Sequence, residues 1–193
     1  MMPETNFPPD PVYVEKGGDD GALVERVLAG DLTAFSTLVE RYQKVVFNVA
    51  LRFLQDADDA EDVAQSVFIK IYERLSSFDR RLKFFSWLYR IAVNESLNAL
   101  RQRKPMERVT EQEQGPGTFD EVERADMARV IDEVIQLLTA DQRAVIILRH
   151  YEALGYDEIA SILNITGKKV KSRLFSARQT LRELLERRGV RGL

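Results

Sequence analysis

Cysteine is absent from the 193 residues, which excludes a disulfide framework and every thiolate metal site. Histidine occurs once, at His150, in an apolar segment that ends a predicted helix. One imidazole supports neither a histidine-based metal centre nor histidine acid–base chemistry, so no cofactor is expected and His150 reads as structural. No apolar run approaches the ~20 residues that a membrane span requires. The first twenty residues, MMPETNFPPDPVYVEKGGDD, carry prolines and acids and lack the basic n-region and apolar core of a secretory signal. The chain is therefore expected to be cytoplasmic, with no membrane insertion. Strand-like alternation persists nowhere, and no internal repeat is found. Net charge is small as well, at −3, so any strongly basic stretch is a local feature.

One such stretch is present. Between Ile165 and Arg182 stand Lys168, Lys169, Lys171, Arg173, Arg178 and Arg182, and no acid. They follow a short helical pattern carrying Ile159, Ala160 and Leu163 on one face. Asn164 suits the left-handed conformation that ends a helix, and Thr166 suits the N-cap of the next. Val170, Leu174, Ala177 and Leu181 recur at helical spacing and form the core-facing stripe. Lys169, Ser172, Arg173 and Ser176 fall largely on the other side. A charge run by itself reads as a solvated helix face. The turn, the missing acids and the small serines favour a helix-turn-helix whose second helix enters a DNA groove.

The rest of the chain is predicted to be all-α, as two small helical domains joined by a flexible acidic linker. Residues 1–19 read as a tail. Asp20 is expected to cap a helix that stops at Gly30, and Asp31 opens a longer one running to Phe53. Gln55 to Asp59 form a polar break, a third helix runs to about Leu75, and Ser76 to Lys83 form a loop. A fourth helix is predicted from Phe84 to Arg103, which ends the first domain, 20–103. Residues 104–125 contain Gly115-Pro116-Gly117 and six acids against three bases, and read as the linker. Helices resume near Asp126 and end near Arg188, within a second domain spanning 126–193.

Two further regions carry charge of one sign. From Asp79 to Lys104, seven cations face only Asp79 and Glu95, with Phe78, Phe84, Phe85, Trp87 and Tyr89 interleaved. Any one of these rings can be plain core, and Phe85 and Trp87 are the rings expected to be buried. The polar loop from Asp79 to Lys83 is harder to explain that way. A base drawn out of a duplex needs an apolar pocket with cations nearby for its phosphates. The third helix is the reverse case: Asp56, Asp58, Asp59, Glu61 and Asp62 crowd its start. The macrodipole explains some of them. The excess would repel DNA and suits a basic protein partner.

The segment DADDAEDVAQSVFIKIYERLSSFD…FFSWLYRIAVNESLNALR resembles the core-binding and promoter-melting domain of bacterial RNA polymerase sigma factors. The segment LTADQRAVIILRHYEALGYDEIASILNITGKKVKSRLFSARQTLREL resembles their C-terminal promoter-binding domain. The direct step between the two across a short tether resembles the extracytoplasmic-function subfamily. The resemblance implies that Asp59, Asp62, Gln65, Phe68 and Lys70 dock on a coiled coil of the largest polymerase subunit. It implies that Asp79, Arg80, Arg81, Leu82, Lys83 and Phe84, with Ser86, Trp87, Arg90 and Asn94 of the following helix, read and open the −10 element. It implies that Lys168, Lys169, Lys171, Ser172, Arg173, Ser176 and Arg178 enter the major groove of the −35 element. Lys168 and Lys169 stand where the family commonly has Gly and Thr. The implied partners are core RNA polymerase, promoter DNA and an anti-sigma factor. A tether of ~22 residues reaches ~70 Å when extended, and two turns of B-DNA span about as much.

Two other readings are weighed against this. A helix-turn-helix regulator acting without core polymerase would leave the acidic helix and the aromatic loop unexplained. An enzyme acting on nucleic acid would need an acid–base or metal cluster, and Asp56 to Asp62 have no His, Cys or basic nucleophile beside them in the sequence.

Overall fold

The computed structural model describes residues 19–103 and 119–190. The expected N-terminal tail and most of the expected linker lie outside the described residues. Eight α-helices are described: α1 (Asp20–Leu28), α2 (Leu32–Leu54), α3 (Ala57–Arg74), α4 (Phe84–Gln102), α5 (Phe119–Gln136), α6 (Ala140–Ile146), α7 (Tyr156–Leu163) and α8 (Gly167–Arg187). A 3-10 turn, Leu75–Ser77, extends α3, and a π-helical turn, Ile147–Tyr151, extends α6.

Local chemistry sets most of these ends. The Asp31 carboxylate accepts from the amides of Thr33 and Ala34 and starts α2. Its hydrogen bonds from Thr33 and Arg26 hold it down at about pKa 2. Asp56 accepts from the Asp59 amide to start α3. Gln55 ends α2 in the left-handed region at φ 52°. Thr139 and Gln142 form a reciprocal capping box at α6. Three expected starts shift, among them that of α3, which begins at Ala57 inside the expected break Gln55 to Asp59. Asp19, not Asp20, caps α1 by accepting from the Ala22 amide at 3.0 Å, and Asp20 instead takes the Tyr42 hydroxyl at 2.6 Å. Helix α5 begins at Phe119, seven residues before the expected Asp126. About sixteen residues thus separate α4 from α5, with a reach of roughly 55 Å.

Helices α1–α4 form an N-terminal bundle, with α2 packed on α1, α3 and α4. Tyr42, Val46 and Phe53 of α2 meet Val67 and Ile71 of α3 and Leu88, Val93 and Leu97 of α4, all buried. Helices α5–α8 form a C-terminal bundle in which α6 and α7 pack on α8 through Val145, Leu148, Ile159, Val170 and Leu174. Burying each such side chain stabilises the fold by about 1.5–3 kcal/mol. The bundles are not separate beads. Helix α4 lies against both α6 and α7, and the buried apolar residues of the two halves form one continuous core. Among the described residues no helix is long and apolar enough to cross a membrane.

Candidate nucleic-acid interface

The turn between α7 and α8 has the expected chemistry. Asn164 sits at φ 52°, ψ 48°, and the Thr166 hydroxyl accepts from the Lys169 amide at 3.2 Å. Val170, Leu174 and Ala177 are buried and Leu181 is half-buried, which turns the opposite side of α8 outward. On that side Lys168, Lys169, Lys171, Ser172, Ser176 and Arg178 are exposed. Arg173 is not free: it is half-buried and ion-paired with Asp141 of α6 at 2.5 Å. Ser176 accepts from the Gln142 amide group at 3.2 Å.

Phe175 went unnoticed in the sequence, yet its ring is 76% exposed among these cations. The signal was available, because Phe175 falls off the Val170, Leu174, Ala177 stripe. Tyr156 at the start of α7 is a second such residue. Its ring is faced by the Arg149 guanidinium at 5.3 Å and the Lys171 ammonium at 5.7 Å, a cation–π arrangement that fixes both charges. His150, expected to be structural, is exposed and lies 3.3 Å from Arg178. Partial desolvation of the ring and the neighbouring charges of Arg178 and Arg149 hold its pKa below the ordinary imidazole value.

The second basic region resolves into a loop and a cleft. In the loop, Arg81 forks onto the Asp79 carboxylate at 2.7 to 3.1 Å, which holds that carboxyl below the usual range. Arg80 reaches Glu25 of α1 at 3.3 Å. Leu82, Lys83 and Ser86 are exposed. Beside the loop lies a cleft of about 340 Å³ between α3 and α4, lined by Lys70, Arg74, Trp87, Arg90, Asn94 and Glu95 among others. The Trp87 ring is half-buried and packs at a tilt, 5.1 Å from Phe78 and 5.9 Å from Phe84.

Three placements correct the sequence reading. Phe84 is only 4% exposed, because in the first turn of α4 its ring packs against Tyr42, Phe78 and Trp87, so it lies under the expected DNA face and not on it. Phe85 and Trp87, expected to be buried, are half-buried, while Phe78, Phe84 and Tyr89 are the buried rings. Lys70, expected on the protein-docking face, lines the cleft and pairs with Glu95.

The exposed side of α3 carries Asp58, Glu61, Asp62, Gln65, Ile69 and Tyr72. Phe68 is half-buried against the core, and the apolar side chain that protrudes is Ile69, at 59%. Asp59 is half-buried and paired with Arg103 at the end of α4. Among the described residues no cluster of His, Asp or Glu is arranged to hold a metal ion.

Comparison with known proteins matches both halves. Residues 38–105 match the family described as sigma-70 region 2, and residues 128–181 match sigma-70 region 4. The chain is 38% identical over 181 residues to the RNA polymerase sigma-H factor of Pseudomonas aeruginosa, covering 86% of this chain and 94% of the relative. It is 36% identical over 176 residues to the ECF RNA polymerase sigma-E factor of Escherichia coli, covering 84% and 92%. Among solved structures, CnrH in complex with the cytosolic domain of CnrY is similar with a TM-score of 0.59 at 27% identity, over 86% of this chain and 97% of that one. The sigma factor RpoE of Bartonella quintana, in complex with the anti-sigma factor NepR, is similar with a TM-score of 0.59 at 25% identity, over 79% and 96%.

Proposed function

The chain belongs to the sigma-70 family of RNA polymerase sigma factors, in its ECF branch, and from that premise we propose which surface serves each step of promoter recognition. It is a transcription initiation factor that joins core polymerase in the cytoplasm, recognises −35 and −10 elements, and promotes melting. It does so without catalytic chemistry of its own. One observation carries the assignment of surfaces: a basic recognition helix and a basic, aromatic-walled cleft sit on different bundles of one chain, as two promoter elements require. The bundles divide the chain near 20–103 and 119–190.

The exposed face of α3 docks on core polymerase through Asp62, Gln65 and Ile69. Glu61 and Asp58 add charge that suits a basic partner and keeps DNA off this face. The loop Asp79 to Lys83, with Ser86, Trp87, Arg90 and Asn94, handles the −10 strand, and Lys70 and Arg74 extend that path onto α3. Lys168, Lys169, Lys171 and Arg178 neutralise phosphates at the −35 element. Arg173, Ser172 and Ser176 approach base edges, where Arg can bridge guanine O6 and N7. Phe175 supplies the apolar contact that a thymine methyl takes. An anti-sigma factor is the regulator that the similar complex implies.

The test is promoter binding with and without core polymerase, followed across salt concentration. Holoenzyme is expected to bind a promoter with a steep salt slope. Lys168→Ala and Lys169→Ala should each reduce the slope of log K against log salt by ~0.9. Arg173→Ala should instead cost ~1–3 kcal/mol at one base position, with little change in slope. Equal promoter affinity with and without core polymerase would favour a regulator that acts alone.

A further inference from the structure

Three elements of the C-terminal bundle converge on one ring. Tyr156 opens α7 and is 37% exposed. Arg149 comes from the π-helical turn after α6, and Lys171 from the second turn of α8. Their charged ends lie 5.3 Å and 5.7 Å from the centre of the Tyr156 ring. Arg149 also donates to the Leu154 carbonyl at 2.9 Å. Among the described residues neither cation has a carboxylate partner. Two acids follow Tyr156 directly, and both serve helix starts. Glu158 accepts from the Gly155 amide at 2.7 Å. Asp157 lies by the first residue of α8, where a side chain on Gly167 would meet its carboxylate at 3.6 Å.

A ring and a carboxylate hold a cation in different ways. Arg173 shows the second: Asp141 fixes it and offsets its charge, so a phosphate has to displace that carboxylate. A ring attracts a cation through its quadrupole and carries no net charge. The cation keeps its full charge while its motion is reduced. A cation ordered beforehand binds more readily, since immobilising one long side chain at an interface weakens binding by about two- to tenfold.

We propose that Tyr156 is a positioning residue of the −35 surface, whose ring holds Arg149 and Lys171 in place and fully charged as a seat for the phosphodiester backbone beside the recognition helix. The proposal rests on the promoter-recognition reading above. It adds Arg149, from outside the helix-turn-helix, to the cations that meet phosphate. The ring acts through the two cations, and its hydroxyl takes no part.

In the full-length free chain, the Tyr156 ring current should move the Lys171 ε-proton and Arg149 δ-proton resonances upfield. Tyr156→Leu should abolish both shifts. Holoenzyme carrying Tyr156→Leu should bind a duplex promoter about fivefold more weakly. The slope of log K against log salt should stay near native, because both cations remain. Lys171→Ala should instead lower that slope by ~0.9. Tyr156→Phe keeps the ring and should bind within about twofold of native. With Arg149→Ala and Lys171→Ala both present, Tyr156→Leu should cost nothing further. Resonances unmoved by Tyr156→Leu overturn the proposal. Binding by Tyr156→Phe as weak as that of Tyr156→Leu overturns it too, by placing the grip in the hydroxyl. So does an undiminished loss in the doubly substituted background, which would make the ring act by packing or by its own contact. Native holoenzyme indifferent to the −35 sequence would instead remove the promoter reading, and the free-chain resonances still decide whether the ring holds the cations.

Discussion

Holoenzyme carrying Trp87→Ala is expected to reach a duplex promoter and fail to open it. Permanganate reactivity of −10 thymines should fall at least tenfold, while closed-complex formation through the −35 element changes little. The Trp87 ring forms one wall of the cleft that holds Lys70, Arg74 and Arg90, and Phe78 and Phe84 fix its plane from behind. Stacking of an exposed base on such a ring contributes ~1–3 kcal/mol. Unpairing costs a few kcal/mol, so losing that contact removes much of what offsets melting. Trp87→Tyr keeps a stacking face and should retain most of the opening. A pre-melted template removes the unpairing cost and should restore transcription partly to Trp87→Ala. Normal opening by Trp87→Ala on duplex DNA would reduce the cleft to a surface feature.

Ile69→Lys should cut affinity for core polymerase by roughly thirtyfold, about 2 kcal/mol, the loss typical of a central apolar anchor at an interface. Its thermal midpoint should stay near that of the native chain, because the side chain is 59% exposed and leaves no cavity. Phe68→Ala is the contrasting variant. That ring packs on the core from a half-buried position, so its loss should destabilise the N-terminal bundle before it weakens docking. Fluorescence anisotropy against core polymerase, paired with a melting curve for each variant, separates the two. Full core affinity in Ile69→Lys would remove α3 from the docking surface.

The contrast between Phe68 and Ile69 shows where sequence reading stopped. Helix α3 carries apolar residues at Val67, Phe68, Ile69, Ile71 and Tyr72, on more than one face, so helical periodicity does not say which side is covered. Helix ends were far more legible. Asp31, Asn164 and Thr166 act on backbone groups within four residues, and such local chemistry is written in consecutive letters. The start of α5 was harder, because acids and few apolar residues before Asp126 resemble a linker more than a helix. Phe84 was misplaced for a tertiary reason: whether a ring in a first turn faces inward depends on Tyr42, forty-two residues earlier. The contacts that Asn94, Arg143 and Asp141 make between the bundles leave no local trace at all, since those partners lie 40 to 90 residues away.

The continuous core also sets how the molecule comes apart. Two bundles joined only by a tether would lose structure independently, each with its own midpoint. Here Ile135, Leu138 and Ala144 are buried in the same apolar mass as Leu97 and Phe53. Loosening either bundle exposes surface on the other, so calorimetry of the free chain should record one cooperative transition, with calorimetric and van't Hoff enthalpies in agreement. Arg52→Glu, which breaks the ion pair from α2 to Glu152 of the other bundle, should split that transition in two. In a factor built this way, a weakened core position in one bundle lowers the melting point of both.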